Sequence, residues 1–387
     1  MRFAPTEDEV MVEDMLDRLM TDMIGAAPRR DGEPPAPEPA ELRARLGDLG
    51  LWGGWLPEAA GGGGGGARML MILARGLGRR PAGCDAIGSC VLPGALLARA
   101  ASGRGPGKAA AAALCARLAT GEATAAAALF EPRRRWALDP RLAARAESGD
   151  GGATLTGEKA HVAAPVGAEA FVVSAAESGG GGAGGVSVWL VPADTPGLRA
   201  RTYPTYDGAE MASLTLDAVR LPEAARLHGP GEGAAAVEEA VRIARFAMAA
   251  EVLGACESGL ARTVDYLKDR KQFGRPLASF QALQFRAADL HAEIELLRSV
   301  VLGAAETLAG PPTARARGDV AAAAAMAAEI GDLAGREAIH LHGAIGMTRE
   351  LGVGRHLMRV NALTAWLGDA DHLRDLSLSM DEEEAAA

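Results

Sequence analysis

Two apolar stripes in the C-terminal half constrain this chain more than any other feature. Met248, Val252, Cys256, Leu260 and Val264 recur at steps of four, and Leu283, Ala287, Leu290, Ile294, Leu297 and Val301 alternate steps of three and four. Such spacing puts each set on one face of a long α-helix, and each face needs an apolar partner. Gly274 and Pro276 lie between the stripes, so the chain is predicted to reverse there and return antiparallel. A third helical stretch, about 314–342, opens almost entirely in Ala and small residues, which permits close helix approach. The sum is an antiparallel helical bundle from about residue 229 to 387.

Upstream the texture changes. Between about 126 and 228, "ATLTGEKAHVAAP", "EAFVVSAA", "VSVWLVPA" and "MASLTLDAVRLP" are short β-rich segments divided by Gly, Pro and Asp, which predicts a central β domain. Residues 1–125 read as a helical domain with an Ala/Gly/Pro-rich break at 26–40. The run Gly61–Gly66 reads as a flexible loop. A phosphate cradle is the sharper alternative, but no Lys-Ser/Thr follows and no strand precedes. The insert "ESGGGGAGG" (177–185) reads as a hairpin tip.

With 387 residues and 49% hydrophobic content the chain can bury a large core in two or three domains. A net charge of −10 argues against broad attraction to nucleic acid or to an anionic membrane surface, so an anionic ligand needs local cations. Cys84, Cys90, Cys115 and Cys256 lack close pairing, which indicates neither a zinc site nor a disulfide framework. The acid-rich start "MRFAPTEDEVMVEDMLDRLM" reads as an amphipathic helix rather than a signal peptide, and a cytoplasmic location is the expectation.

The turn between the stripes reads "YLKDRKQFGRPLASFQALQFRAADL" (266–290). Phe273 and Phe280 are placed to anchor it, and Arg270, Lys271 and Arg275 set cations at a helix C-terminal end. A capped helix–helix turn accounts for that much. In order and spacing, however, Tyr266, Arg270, Gln272, Phe273, Gly274, Pro276, Phe280 and Gln281 resemble the C-terminal signature of the acyl-CoA dehydrogenase family. "LHGAIGMTRE" (341–350) resembles the family's Gly-rich helix break, and "LFEP" (129–132) its flavin-side Thr-Glu-Pro strand with Phe130 in place of Thr. "LTGEKAHVAAP", "VWLVPADTPGL" and "LTLDAVRLPEAARL" resemble its β domain, and "LGDLGLWGGWLPEAAGG" its N-terminal domain, so nearly the whole chain is covered.

The resemblance implies an α+β multidomain fold: an N-terminal helical domain, a central β domain and a C-terminal four-helix bundle, with FAD between β domain and bundle. It implies removal of an α-proton and a β-hydride from an acyl-CoA or acyl-carrier thioester, with an electron-transferring flavoprotein or another acceptor taking the electrons. It places Arg270 on the FAD pyrophosphate, Phe273 and Gln281 beside the adenosine, and His340, Gly343 and Ala344 where the last-third turn approaches the cofactor. His161 and Ala163 fall at flavin-facing positions, and an ordinary half-buried strand residue is the alternative for His161. Arg245 falls near the acyl-CoA entrance, with a helix-surface arginine as its alternative. An oligomer is implied, either of identical chains or with a paralogous subunit.

The pattern then fails where the chemistry needs it. The family's base is a glutamate about nine residues beyond the arginine matched by Arg359, and Gly368 stands there; the alternative glutamate position holds Ala244. Asp369 is the nearest substitute, one position off and one methylene shorter, with a solvated turn as its competing role. Asp371 and His372 read as outside the chemistry. The family's glycine-rich loop becomes "FEPRRRWALDP", whose arginines suit either CoA phosphates or plain solvation. Three functions remain open: a divergent FAD-dependent acyl-CoA dehydrogenase using Asp369, a base-deficient subunit of a heteromeric one, or a non-catalytic acyl-CoA-binding protein on the same scaffold.

Overall fold

The computed structural model describes residues 4–25, 39–80, 85–146, 152–178, 185–348 and 351–386. Most of the 26–40 break, the centre of the 177–185 insert, Cys84 and the last two residues of "LHGAIGMTRE" lie outside them. The chain divides into two compact units, one comprising Met1–Leu42, Ala67–Cys84 and Arg245–Ala387, the other Arg43–Gly66 and Asp85–Ala244.

The helical unit contains α1 (Glu7–Ile24), α3 (Gly66–Arg79), most of α6 (Gly233–Asp269), α7 (Gln281–Leu308), α8 (Ala314–His342), α9 (Gly354–Leu367) and α10 (Ala370–Ala386); α2 (Pro39–Asp48) straddles the division. Helix α1 starts at a capping box, with Glu9 N–H donating to Thr6 Oγ1 at 3.1 Å and Thr6 N–H donating to Glu9 Oε2 at 2.9 Å. Both stripes do what their spacing predicts at their centres: Met248, Val252, Cys256, Leu290, Ile294, Leu297 and Val301 are buried. The alanines of α8 let neighbours close in, and Gly331 and Gly335 are packed against Val252, Val360 and Leu357.

At the crossing of α3 and α6 the backbones themselves meet. A Cβ on Gly78 would lie 1.8 Å from the Glu251 carbonyl oxygen, and one on Gly254 would lie 1.9 Å from that of Arg75. Gly78→Ala is therefore expected to cost about 2 kcal/mol or more, because neither backbone can retreat. Gly259→Ala, with open space at its Cβ, should instead be neutral or stabilise by up to about 1 kcal/mol. Thermal melts of the two variants check the contrast; equal melting temperatures would contradict it.

The other unit is built on a sheet of β1 (Ala125–Ala128), β2 (Ala143–Ala146), β3 (Ala153–Ala163), β4 (Ala170–Ser178), β5 (Val186–Pro192), β6 (Leu198–Pro204), β7 (Glu210–Leu221) and β8 (Arg226–His228). Its order is β6-β7-β3-β2-β4-β5-β8, with β1 parallel to β4. Leu155, Val162, Val173, Trp189 and Leu214 sit in its core. The β-rich segments read from the sequence thus form a single sheet. Helices α4 (Leu92–Ser102) and α5 (Lys108–Ala119) belong to the same unit, and His228 Nε2 bonds the Leu96 carbonyl at 3.1 Å to tie β8 to α4.

The compact units therefore cut across the helical domain expected at 1–125. The reason is packing: α3 is close-fitted to α6 and, through Gly76, to Leu16 of α1, whereas α4 contacts β1 and β8. The glycine run, expected as a flexible loop, is a correction. It is an ordered fold-back, with the N–H groups of Gly62, Gly63, Gly64 and Gly65 donating to the carbonyls of Pro57, Gly53, Leu56 and Gly54. A Cβ at Gly62 would meet the Leu56 carbonyl at 2.3 Å, so the run is glycine for close approach rather than for flexibility. Those donors are spent, which also removes the phosphate cradle.

Candidate functional site

The chain reverses after α6 through a small hairpin. Arg270 N–H donates to the Tyr266 carbonyl and Leu277 N–H to the Arg270 carbonyl, each at 2.8 Å. Strand β9 (Lys271–Gln272) then pairs with β10 (Arg275–Pro276) across Phe273 and Gly274, both with positive φ (54° and 79°). That geometry is the one two-residue hairpins favour, and Gly274 takes it without strain. Phe273 does not anchor the turn as its composition suggested: it is 88% exposed. Phe280 anchors instead, with the Arg275 guanidinium 4.0 Å above its ring and Phe273 edge-on at 6.0 Å. Arg270 and Lys271 are exposed and have no acid partner among the described residues, and Gln281 is exposed at the start of α7. The hairpin thus presents cations and an aromatic ring that its own unit leaves uncovered.

At the end of α8, His340 is exposed and its Nδ1 accepts from Arg286 Nη2 at 2.9 Å, while Arg286 also pairs with Glu337 at 2.5 Å. A guanidinium only donates, so this contact puts the His340 proton on Nε2. Gly343 (φ 70°) and Ala344 are exposed in the short 3₁₀ turn that follows. His342, which the sequence reading passed over, is buried and stacks on Tyr266 at 4.4 Å, with Nδ1 bonded to the Ala338 carbonyl at 2.7 Å. Burial lowers its pKa. The stack joins the last turn of α6, which leads into the hairpin, to the α8 terminus, so the candidates on these two segments share one end of the helical unit.

Arg245 is not a helix-surface arginine. It is buried, and it donates to the Leu367 carbonyl at 2.9 Å and to His372 Nε2 at 3.2 Å; burial pushes its pKa down to about 10. Because Nε2 must accept from the guanidinium, His372 carries its proton on Nδ1 and has no free lone pair to act as a base there. Asp369, half-buried, caps α10: its Oδ1 accepts from His372 N–H at 3.0 Å. Gly368, at φ 139°, makes the corner before it. The other buried carboxylate of this region, Glu251, is paired with Arg359 at 2.6 Å.

In the sheet unit, β3 has an irregularity between Lys159 and Val162, where His161 adopts φ 54°. His161 is exposed, its Nδ1 lies 3.3 Å from Tyr203 Oη, and desolvation followed by the Arg135 charge lowers its pKa. Ala163 is buried and a Cβ on Gly88 would touch it at 2.7 Å. Having no hydroxyl, it has no side-chain hydrogen bond to offer a cofactor ring. The sequence reading missed the pair beneath this strand: Lys159, fully buried, donates to Glu131 Oε1 at 2.9 Å, to Ser174 Oγ at 3.1 Å and to the Leu129 carbonyl at 3.3 Å. Glu131 in turn accepts from the N–H groups of Arg141 and Leu142. The only signal was two charged residues inside β-rich segments.

Family models describe what this geometry belongs to. The acyl-CoA dehydrogenase N-terminal domain model matches residues 6–122 and the C-terminal domain model residues 231–378. A solved steroid ACAD, Tcur3481-Tcur3483, is 30% identical over 98% of this chain and 99% of that one, with a TM-score of 0.81. The chain belongs to the acyl-CoA dehydrogenase family. The ChsE4-ChsE5 complex of Mycobacterium tuberculosis is similar over 100% of both chains at 26% identity, with a TM-score of 0.82. An acyl-CoA dehydrogenase of Bacillus subtilis is 32% identical over 49% of this chain, which spans about half (50%) of that protein's length. Members of the family are FAD-binding oxidoreductases, and the helical N-terminal part, central sheet and C-terminal bundle expected from the sequence are the family's fold. Among the described residues no helix is long and apolar enough to cross a membrane, and no cluster of His, Cys, Asp and Glu is arranged to hold a metal.

Proposed function

We propose that this chain is a flavin-dependent acyl-thioester oxidoreductase in which Arg270 holds the FAD diphosphate and Phe273 and Gln281 flank the adenosine. One observation carries the reading: the hairpin exposes Arg270 and Lys271, which have no acid partner among the described residues, beside an 88%-exposed phenylalanine. A guanidinium fork and an ammonium suit diphosphate oxygens, and an exposed ring suits a nucleoside. The groups fit FAD at this end; at Ala163 the chain supplies packing only. His340, with its Nε2–H directed away from Arg286, is a further donor near the same turn, and Gly343 and Ala344 leave room for backbone approach. When bound, the flavin supplies the hydride acceptor for an acyl-CoA or acyl-carrier thioester. An electron-transferring flavoprotein is the acceptor this reading assigns, and the cytoplasm its compartment.

A second reading follows from Asp369. Proton abstraction next to a thioester needs a carboxylate free to reach the carbon, and here the acid nearest the expected position spends an oxygen capping α10 while Gly368 and Ala244 occupy the two glutamate positions. Arg245, which would steady a carboxylate in that corner, is spent on Leu367 and His372. These facts favour a base-deficient subunit that completes its site with a paralogous chain, and two solved relatives are described as pairs of unlike chains.

Asp369→Asn separates the two readings cleanly, since asparagine caps a helix as well as aspartate does. Acyl-CoA turnover with an artificial acceptor, measured with and without a co-expressed homologous subunit, should change less than about twofold under the second reading. A loss of about a hundredfold or more, the scale of a general base, would make Asp369 the base and remove that reading. Asp369→Ala, by contrast, should cost about 1 kcal/mol of stability through the lost cap.

A further inference from the structure

Helices α6, α8 and α9 meet around a small internal cavity lined by Cys256, Gly331, Gly335, Ala338, Val353 and His356, all of them buried. Nothing in the flavin reading uses it. The helices are already as close here as their backbones allow: a Cβ on Gly331 would meet the methyls of Val252 and Val360 at 2.7 Å, and one on Gly335 the Leu357 side chain at 2.7 Å. A larger residue at either glycine therefore cannot close the space without displacing a neighbour.

His356 is the anomaly in this lining. It shares a face of α9 with Val360, Leu363 and Leu367, all buried in the bundle, where an aliphatic side chain would serve the packing as well. It is 4% exposed, and neither ring nitrogen makes a hydrogen bond among the described residues. The Arg79 and Val353 carbonyls are near enough to favour a ring proton, but burial and then the Arg262 charge outweigh them and push the imidazole down to about 4. At neutral pH the ring is thus uncharged, with one N–H donor and one bare acceptor nitrogen. Buried polar atoms without a partner are rare in folded proteins, and an ordered water is the partner when the protein supplies none.

The cavity has the size for that partner and for nothing larger. About 10 Å³ is open to the centre of a water molecule, about the volume that a single water needs. The lining also offers enough polar atoms. Burial pushes the Cys256 thiol up to about 12 and so keeps it protonated, while its hydrogen bond to the Ile330 carbonyl is long at 4.0 Å. The Val353 carbonyl accepts from the His356 backbone N–H at 3.4 Å, and a carbonyl oxygen has two lone pairs. A metal is the wrong occupant, since a protonated thiol and one imidazole bring no third ligand.

We propose that this cavity binds one water molecule, which donates to the bare His356 nitrogen and to the Val353 carbonyl, accepts from the Cys256 thiol, and so ties α9 to α6. Three hydrogen bonds are the usual complement of a buried water. The proposal stands apart from the flavin reading and needs no cofactor.

The test uses the full chain. High-resolution diffraction is expected to show an isolated density peak about 2.7–3.2 Å from one ring nitrogen of His356. Oxygen-17 relaxation dispersion, which counts the waters a protein holds for longer than its own tumbling time, should give one water fewer in His356→Leu than in the parent. That variant should melt at or above the parent temperature, because leucine nearly fills the imidazole's volume and leaves no polar atom to satisfy. A ring with no peak beside it, or equal water counts in parent and variant, would overturn the proposal. Should His356→Leu not fold, the diffraction result on the parent decides alone.

Discussion

Lys159→Met is expected to destabilise the sheet unit by about 3–5 kcal/mol, the range for removing one partner of a buried ion pair. Lys159 is fully buried and its ammonium serves three acceptors, two of which, Glu131 Oε1 and the Leu129 carbonyl, belong to the chain that leads into the arginine loop. Burial pushes the Lys159 ammonium down to about 8. Burial also works to raise the Glu131 pKa, but the Lys159 charge and the N–H groups of Leu142 and Arg141 outweigh it and hold that carboxyl below its ordinary 4.5. Without Lys159 the carboxylate is left buried and uncompensated, and methionine fills the volume while accepting nothing.

The pH dependence has a definite sign. A carboxyl whose pKa is lower folded than unfolded stabilises the fold above its unfolded value and loses that contribution as pH falls through its folded one. Stability should therefore decline as pH drops below 4.5, the unfolded reference for Glu131, and the part of that decline due to this carboxyl should shrink or reverse in Lys159→Met, where burial is no longer offset by the ammonium and protonation relieves the orphaned charge. Urea titration followed by the fluorescence of the tryptophans, including the buried Trp189, measures both. The double variant Lys159→Met/Glu131→Met should recover part of the loss, since it leaves no orphaned charge. An unchanged urea midpoint in the single variant would contradict the account of this pair.

Why this pair was invisible in the sequence, while the bundle was plain, follows from the range over which each feature is encoded. Helical stripes such as Leu290, Ile294, Leu297 and Val301 are periodic within one element, so burial is written locally. The Gly274–Pro276 reversal is local as well. Glu131 and Lys159 meet only because β3 and the segment after β1 lie side by side, an arrangement set by strand pairing that no window of sequence contains. The burial of Arg245 could not be read locally because its acceptors, Leu367 and His372, lie 122 and 127 residues further along the chain. Of the two phenylalanines expected to anchor the hairpin only Phe280 does so, for a subtler reason: composition shows two such rings near a turn, and the positive φ of Phe273 goes with an outward-facing one. The family was legible through order and spacing in 266–281; whether Asp369 caps a helix or takes a proton was not, because both roles want a short carboxylate before α10.

The central claim is that the hairpin between α6 and α7 grips the FAD diphosphate through Arg270. Charge-assisted hydrogen bonds from a guanidinium to phosphate contribute about 1.5–3 kcal/mol, so their loss converts to roughly a 10- to 150-fold weaker complex. The direct measurement is the dissociation constant for FAD by flavin fluorescence titration, made on the parent chain and on Arg270→Ala and Arg270→Lys in the same oligomeric assembly. Arg270 is exposed and makes no side-chain hydrogen bond among the described residues, so both variants should fold and melt as the parent does. Stoichiometric FAD uptake by the parent, a 10- to 150-fold loss in Arg270→Ala and an intermediate loss in Arg270→Lys are the expected results; FAD binding of equal strength in all three would contradict the claim.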